Sequence, residues 1–231
     1  LKEQWQVMRK QKRLYNLCIF FGIAGVMALL VIGGIICRYQ HTSPERLPDL
    51  AEMEFTQIHS ESDADQDGID DQTDILQGAL AYVNTKPKYK SKYYENGYPD
   101  DGYGVCTDVV AFAMKAAGYD LKALVEKDIK EHPDAYEIAQ PDADIDFRRV
   151  KNLQIFFKNH ARSLTTDVFQ TEEWQGGDIV IFQKHIAIVS DRRNEKGIPY
   201  IIHHNDPWQK SYEQDILEKR DDIVGHYRWE P

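Results

Sequence analysis

The stretch GGDIVIFQKHIAIVSDRRNEKGIPYIIHHN (176–205) decides the fold class. DIVIF (178–182), HIAIVS (185–190) and YIIHH (200–204) are short, rich in β-branched residues and divided by polar connections, the pattern of strands. DRRNEKGIP between the last two reads as a hairpin loop, with Gly197 available for a positive φ. IVGHYR (223–228) supplies a further strand. Upstream the period changes. Ile75, Leu76, Ala79, Leu80 and Val83 fall on one helical face. CTDVVAFAMKAAG carries apolar residues at helical spacing and ends on Gly118, a good residue to follow a helix. Asp120 is placed to cap a helix that begins at Leu121 and stops before Pro133. Asp144 or Asp146 is placed to cap another, with Val150, Leu153 and Phe157 facing inward. Helices first and strands later predict an α+β fold, an antiparallel sheet covered by helices.

The whole chain has 231 residues and a formal charge of −10, so a nucleic-acid partner, which needs a basic footprint, is excluded. One segment departs from this polarity. LCIFFGIAGVMALLVIGGIIC (17–37) has no charge and no proline, and is long enough for a helix to cross a bilayer. Lys2, Arg9, Lys10, Lys12 and Arg13 precede it, which predicts a basic cytoplasmic tail over 1–16 and an exported C-terminal part. A cleaved signal peptide is the competing reading. Against it, the apolar run exceeds the usual length and no clean small-x-small site follows. Residues 38–62, without sustained periodicity and with two prolines, read as a stalk; 63–231 read as the extracytoplasmic domain.

Of three cysteines only Cys106 falls in the exported part, where it has no intramolecular disulfide partner. It sits where a glycine-containing loop gives way to a helix. Partial positive charge and unpaired N–H groups there are expected to lower the thiol pKa and to hold an oxyanion. The bland alternative is a small hydrophobe that begins the buried face of Val109, Val110 and Ala113. A thiol nucleophile needs a base, normally His, and a group that orients it. His185 opens one strand, while His203 and His204 end the next, so antiparallel pairing brings His185 beside one of this pair. Side-chain alternation sends the other the opposite way. A zinc site is the rival, but close-paired ligand spacing is lacking.

GVCTDVV, IDFRRVKNLQIFF, GGDIVIF, HIAIVS, IIHHN and GHYRW, ordered blocks spread over Ile75 to Trp229, resemble the bacterial domain family of unknown function 1287. That family is similar to the NlpC/P60 cysteine-peptidase superfamily. The resemblance implies a papain-like core with Cys106 as nucleophile, His185 as base and His203 as the orienting residue, His204 and Asn205 being the alternatives. It implies amide cleavage in peptidoglycan stem peptides by a domain tethered to the bacterial membrane. Phe147 departs from the His expected in the family's version of IDFRRV.

Asp63, Asp65, Asp67, Asp71 and Asp74 stand at positions 1, 3, 5, 9 and 12 of a loop with Gly68 at position 6 and the Ile69 carbonyl at position 7. Calcium takes six to eight oxygens, and this spacing supplies them. It resembles the loops of thrombospondin type 3 repeats and EF-hand-like extracellular proteins, except that Asp74 replaces the longer Glu. A structural calcium is expected; a solvated acidic linker is the alternative. Two other functions compete with a hydrolase: a non-catalytic cell-wall or partner-binding module on the same fold, and an accessory subunit of an envelope-spanning secretion or conjugation machine.

Overall fold

A computed structural model describes residues 2–39, 42–52 and 54–230, leaving out the side chains at 2, 3, 38 and 39. Gln40, His41 and Met53 of the expected stalk lie outside the described residues. The chain divides into two units, Leu1–His41 and Thr42–Pro231.

The first unit is one helix, α1 (Lys2–Tyr39). Its stretch Gln4–Cys37 is long and apolar enough to cross a membrane, a test that a signal sequence also passes.

The second unit begins with an extended segment and the acidic loop. The helices α2 (Asp71–Asn84), α3 (Cys106–Ala116) and α4 (Leu121–Glu131) follow, with two-residue strands β1 (Lys88–Tyr89) and β2 (Tyr103–Gly104) pairing in parallel between the first two. Short helices α5 (Pro133–Tyr136) and α6 (Ala143–Asp146) lead to α7 (Val150–His160). The remaining strands are β3 (Arg162–Ser163), β4 (Ile179–Phe182), β5 (His185–Arg193), β6 (Pro199–Ile202), β7 (Glu213–Gln214) and β8 (Ile223–Arg228). They form one antiparallel sheet in the order β3-β8-β4-β5-β6-β7. The α+β architecture agrees with the pattern in the sequence.

The central strands read as unbroken apolar runs because both faces of the sheet are covered. Ile179, Ile181, Ile186, Ile188 and Ile202 join Ile75, Ala79, Val109, Val110 and Ala113 in a cluster beneath α2 and α3. The alternate residues Val180, Phe182, Ala187, Val189 and Ile201 meet Val168, Trp174, Ile198 and Leu217 on the other side. Gly78 permits the close approach of α2 to α3, since a Cβ there would lie 2.4 Å from that of Ala116.

Local signals act as the sequence suggests at several points. Asp120 accepts the N–H groups of Lys122 and Ala123, and Gly118 takes φ +82°. Gly197 turns the β5–β6 hairpin with φ +77°. Two expectations need correction. Neither Asp144 nor Asp146 caps α7: Asp142 caps the short α6 by accepting from Asp144 N–H, and α7 starts after Arg149 with no side-chain cap. From Thr42 on, the expected stalk is bound to the second unit. Leu47 N–H donates to Glu213 at 2.7 Å, Leu50 N–H to the Arg193 carbonyl at 2.9 Å, and the Arg193 guanidinium lies 3.8 Å from the Phe55 ring centre. Arg46 pairs with both Asp191 and Glu213. Charged groups on the sheet edge thus hold a segment that its own periodicity does not order.

Candidate active site

Cys106 is the first residue of α3, where backbone N–H groups are left without intrahelical partners. Asp108, two residues on, accepts the Val105 N–H at 2.8 Å and closes the helix start. Asp108 is also gripped by Arg148, Nε to Oδ1 at 2.6 Å and Nη2 to Oδ2 at 2.9 Å, with both side chains almost fully buried. Arg148 further donates to the Lys92 carbonyl at 2.7 Å, which ties the preceding loop to the same point. Arg148 is thus a positioning residue for the Cys106 turn, and two-point contact is what a guanidinium gives and an ammonium does not. Neighbouring Phe147 is wholly buried, its ring 5.1 Å from that of Tyr98.

The backbone N–H groups of Ile186, Thr107 and Cys106 itself lie close enough to the Cys106 sulfur to favour its charged form. Ile186 directly follows His185, so the thiol meets the backbone at the start of β5, while the His185 ring stacks on Phe182 with centres 5.8 Å apart. Among the described residues no hydrogen bond joins Cys106 to His185. Burial dominates the thiol's ionisation, pushing its pKa up to about 11 despite these N–H donors. This reverses the expectation that the helix terminus lowers it: desolvation outweighs three backbone dipoles.

His185 and His203 are brought together, Nε2 to Nδ1 at 2.8 Å, and His203 Nε2 lies 2.8 Å from Gln214 Oε1. These contacts fix the tautomers. An amide oxygen only accepts, so His203 carries its proton on Nε2 and accepts on Nδ1. His185 therefore donates through Nε2, and its lone pair resides on Nδ1. Burial, then the charges of His203, Arg220 and His204, depress the His185 pKa to about 2; burial first also lowers His203 to about 4. At neutral pH thiol and imidazoles are uncharged. Gln214, on a two-residue strand that sequence pattern does not reveal, is the member of this chain that the sequence analysis missed.

His204 has a different environment. It is buried with both ring nitrogens lacking hydrogen-bond partners among the described residues, edge-on to Tyr89 and Tyr212 at 5.2 Å each. Tyr89, which His204 meets edge-on, lies close enough to Cys106 to interact with it electrostatically, so His204 belongs to the thiol's surroundings without being bonded to the relay. Asn205 is exposed and its amide donates to Asp206 at 2.8 Å.

In the acidic loop the carboxylate oxygens of Asp63, Asp65 and Asp67 lie within 4.8 Å of one another. Asp74, in the first turn of α2, is near enough to feel the charges of Asp67, Asp65 and Asp63, and the Ile69 carbonyl belongs to the same loop. Asp71 is engaged elsewhere: it accepts the Ala64 N–H at 2.9 Å and the Tyr119 hydroxyl.

An α+β domain with a partly buried cysteine at a helix N-terminus, abutting a histidine-bearing strand, is the class that fold and site define. Residues 76–229 match the model of the domain of unknown function DUF1287, and the chain belongs to that family. It is 34% identical over 168 residues to the uncharacterized protein YijF of Escherichia coli (strain K12), an alignment covering 67% of this chain and 80% of the relative. No solved structure matches the chain.

Proposed function

We propose that the protein is a cysteine hydrolase of the NlpC/P60-like kind, with a papain-like core, that cleaves amide bonds outside the cytoplasmic membrane. The observation that carries this reading is a cysteine at the N-terminus of α3 set against the backbone at the start of β5, the strand that opens with His185 and leads through it to His203 and Gln214. In the reaction, His185 Nδ1 takes the thiol proton as sulfur attacks the amide carbonyl. The Cys106 and Thr107 N–H groups, which flank the sulfur at rest, are the donors available to the oxyanion once sulfur has bonded to carbon. The tetrahedral intermediate expels the amine, which receives the proton from His185, and water then cleaves the thioester to regenerate the thiol. Because both partners start uncharged, proton transfer accompanies attack instead of preceding it.

The substrate class we assign is a peptidoglycan stem peptide, met by a domain exported behind a membrane-anchoring α1 whose basic N-terminal side stays in the cytoplasm. Incubating purified protein with muropeptides tests the reading by mass spectrometry. Cleavage yields two fragments whose masses together exceed the substrate by one water. An unaltered muropeptide profile argues against it.

A second reading, a non-catalytic cell-wall or partner-binding module, is favoured by one observation: the thiol is pushed up rather than activated. Retention on peptidoglycan sacculi without cleavage is the outcome it requires. An accessory role in an envelope-spanning machine would instead appear as co-purification of other envelope proteins in detergent.

A further inference from the structure

Asp74 is the group that the rest of the molecule leaves unexplained. It is only 6% exposed, and its Oδ2 has no hydrogen-bond partner among the described residues. A carboxylate removed from water without a donor or a cation is strongly disfavoured. Nothing offsets this locally. Among the described residues no Lys, Arg or His pairs with Asp63, Asp65, Asp67 or Asp74. Its surroundings add further negative charge, from Asp67, Asp65, Asp71 and Asp63.

The loop supplies the other half of the site. The oxygens of Asp63, Asp65 and Asp67 converge within 4.8 Å, and all three residues are exposed. The turn is held by Gly68 N–H donating to Asp63 at 3.0 Å and Ile69 N–H to Asp67 at 2.9 Å. Gly68 adopts φ +93°, which a residue with a Cβ resists. The neighbouring acids are excluded by their own bonds. Asp70 caps α2 through Thr73 and also holds Ser60 N–H at 2.9 Å. Asp71 spans the loop and the α3–α4 turn through Ala64 and Tyr119.

We propose that Asp63, Asp65, Asp67 and Asp74, completed by the Ile69 carbonyl, bind one calcium ion, and that Asp71 braces the loop without touching it. All donors are oxygen, with neither His nor Cys, which selects a hard cation. Flexible monodentate or bidentate carboxylates on a turning loop suit calcium's irregular six to eight ligands better than the strict octahedron of magnesium. The ion neutralises the buried Asp74 and joins the segment ahead of α2 to the helix that packs on α3. The site is independent of the hydrolase reading, because it is tested without substrate.

Full-length protein in detergent, freed of metal with a chelator, is titrated calorimetrically with calcium chloride and melted with and without the ion. One equivalent should bind, and the melting temperature should rise with calcium concentration. Asp74→Asn, which keeps the shape and removes the charge, should weaken calcium binding by about tenfold or more. Asp65→Asn, which keeps an oxygen to accept the Asp67 N–H, should do the same. Asp71→Asn should melt lower yet still take up one equivalent. Magnesium should bind about tenfold more weakly than calcium. Absence of binding to folded wild-type protein at millimolar calcium would overturn the proposal, as would unchanged affinity in both the Asp74 and Asp65 variants. Equal or tighter magnesium binding would overturn the assignment of the ion.

Discussion

Two buried polar clusters lie on this sheet and are built in opposite ways. In one, Asp178 receives Arg228 at 2.8 Å through both Nε and Nη2, His226 Nε2 at 3.0 Å, Gln72 Nε2 at 2.9 Å and Gln175 N–H at 2.8 Å. His226 is also stacked on Trp174, ring centres 3.7 Å apart. Both carboxylate oxygens there are bonded and the cation is paired. In the other, three histidines gather at the ends of β5 and β6 with only neutral partners, and His204 has none among the described residues. A satisfied ionic cluster holds α2, β4 and β8 in register. An under-satisfied neutral cluster keeps unpaired lone pairs in a setting where burial opposes charge. The first arrangement serves stability, and the second is the one on which the proposed chemistry rests.

The largest expected stability effect separates them. Asp178→Ala strands a buried guanidinium and should cost about 3–5 kcal/mol, read as a lowered denaturation midpoint. His185→Ala leaves a small cavity but no unpaired charge, so its loss should be clearly smaller. Equal losses would erase the distinction.

Acidification should act on the histidine cluster. His203 and His204 each have a folded pKa of about 4, below the ordinary 6.5, chiefly because burial disfavours the charged form. The unfolded chain therefore binds more protons between these values, and stability falls as pH drops from 6.5 through 4. Each residue accounts for about 3 kcal/mol at pH 4, from its shift at about 1.4 kcal/mol per pH unit. Chemical denaturation at pH 7, 5.5 and 4.5 checks this. Flat stability over that window would mean that the cluster is already protonated or open to water.

The smallest effect is the most discriminating. His204→Phe fills the space between Tyr89 and Tyr212 without burying unpaired nitrogens, and should stabilise by about 1 kcal/mol while reducing the acid loss by His204's share. Destabilisation would show that His204 has a partner in solution and belongs to the site.

Much of this architecture is legible from the chain. β-branched runs mark β4, β5, β6 and β8, and one-face periodicity with Asp120 and Gly118 marks α3 and α4, because those signals are local. His185 and His203 meet as antiparallel pairing and alternation require. Arg148 with Asp108, Asp178 with Arg228, and Gln214 on its two-residue strand are not legible, because each depends on a partner 11 to 50 positions away. The rise in the thiol pKa is hidden for a related reason. A helix terminus can be read from sequence, whereas the depth at which tertiary packing places it cannot.

The central claim is that Cys106 and His185 together cleave an amide. Muropeptide cleavage should be followed by mass spectrometry for wild type, Cys106→Ser, His185→Ala, His203→Ala and His204→Ala, with circular dichroism confirming that each is folded. The account predicts losses of about a thousandfold or more for Cys106→Ser and His185→Ala, since removing nucleophile or base disables the unit. His203→Ala should lose less and His204→Ala least. Wild-type cleavage by a folded Cys106→Ser protein would contradict the account outright.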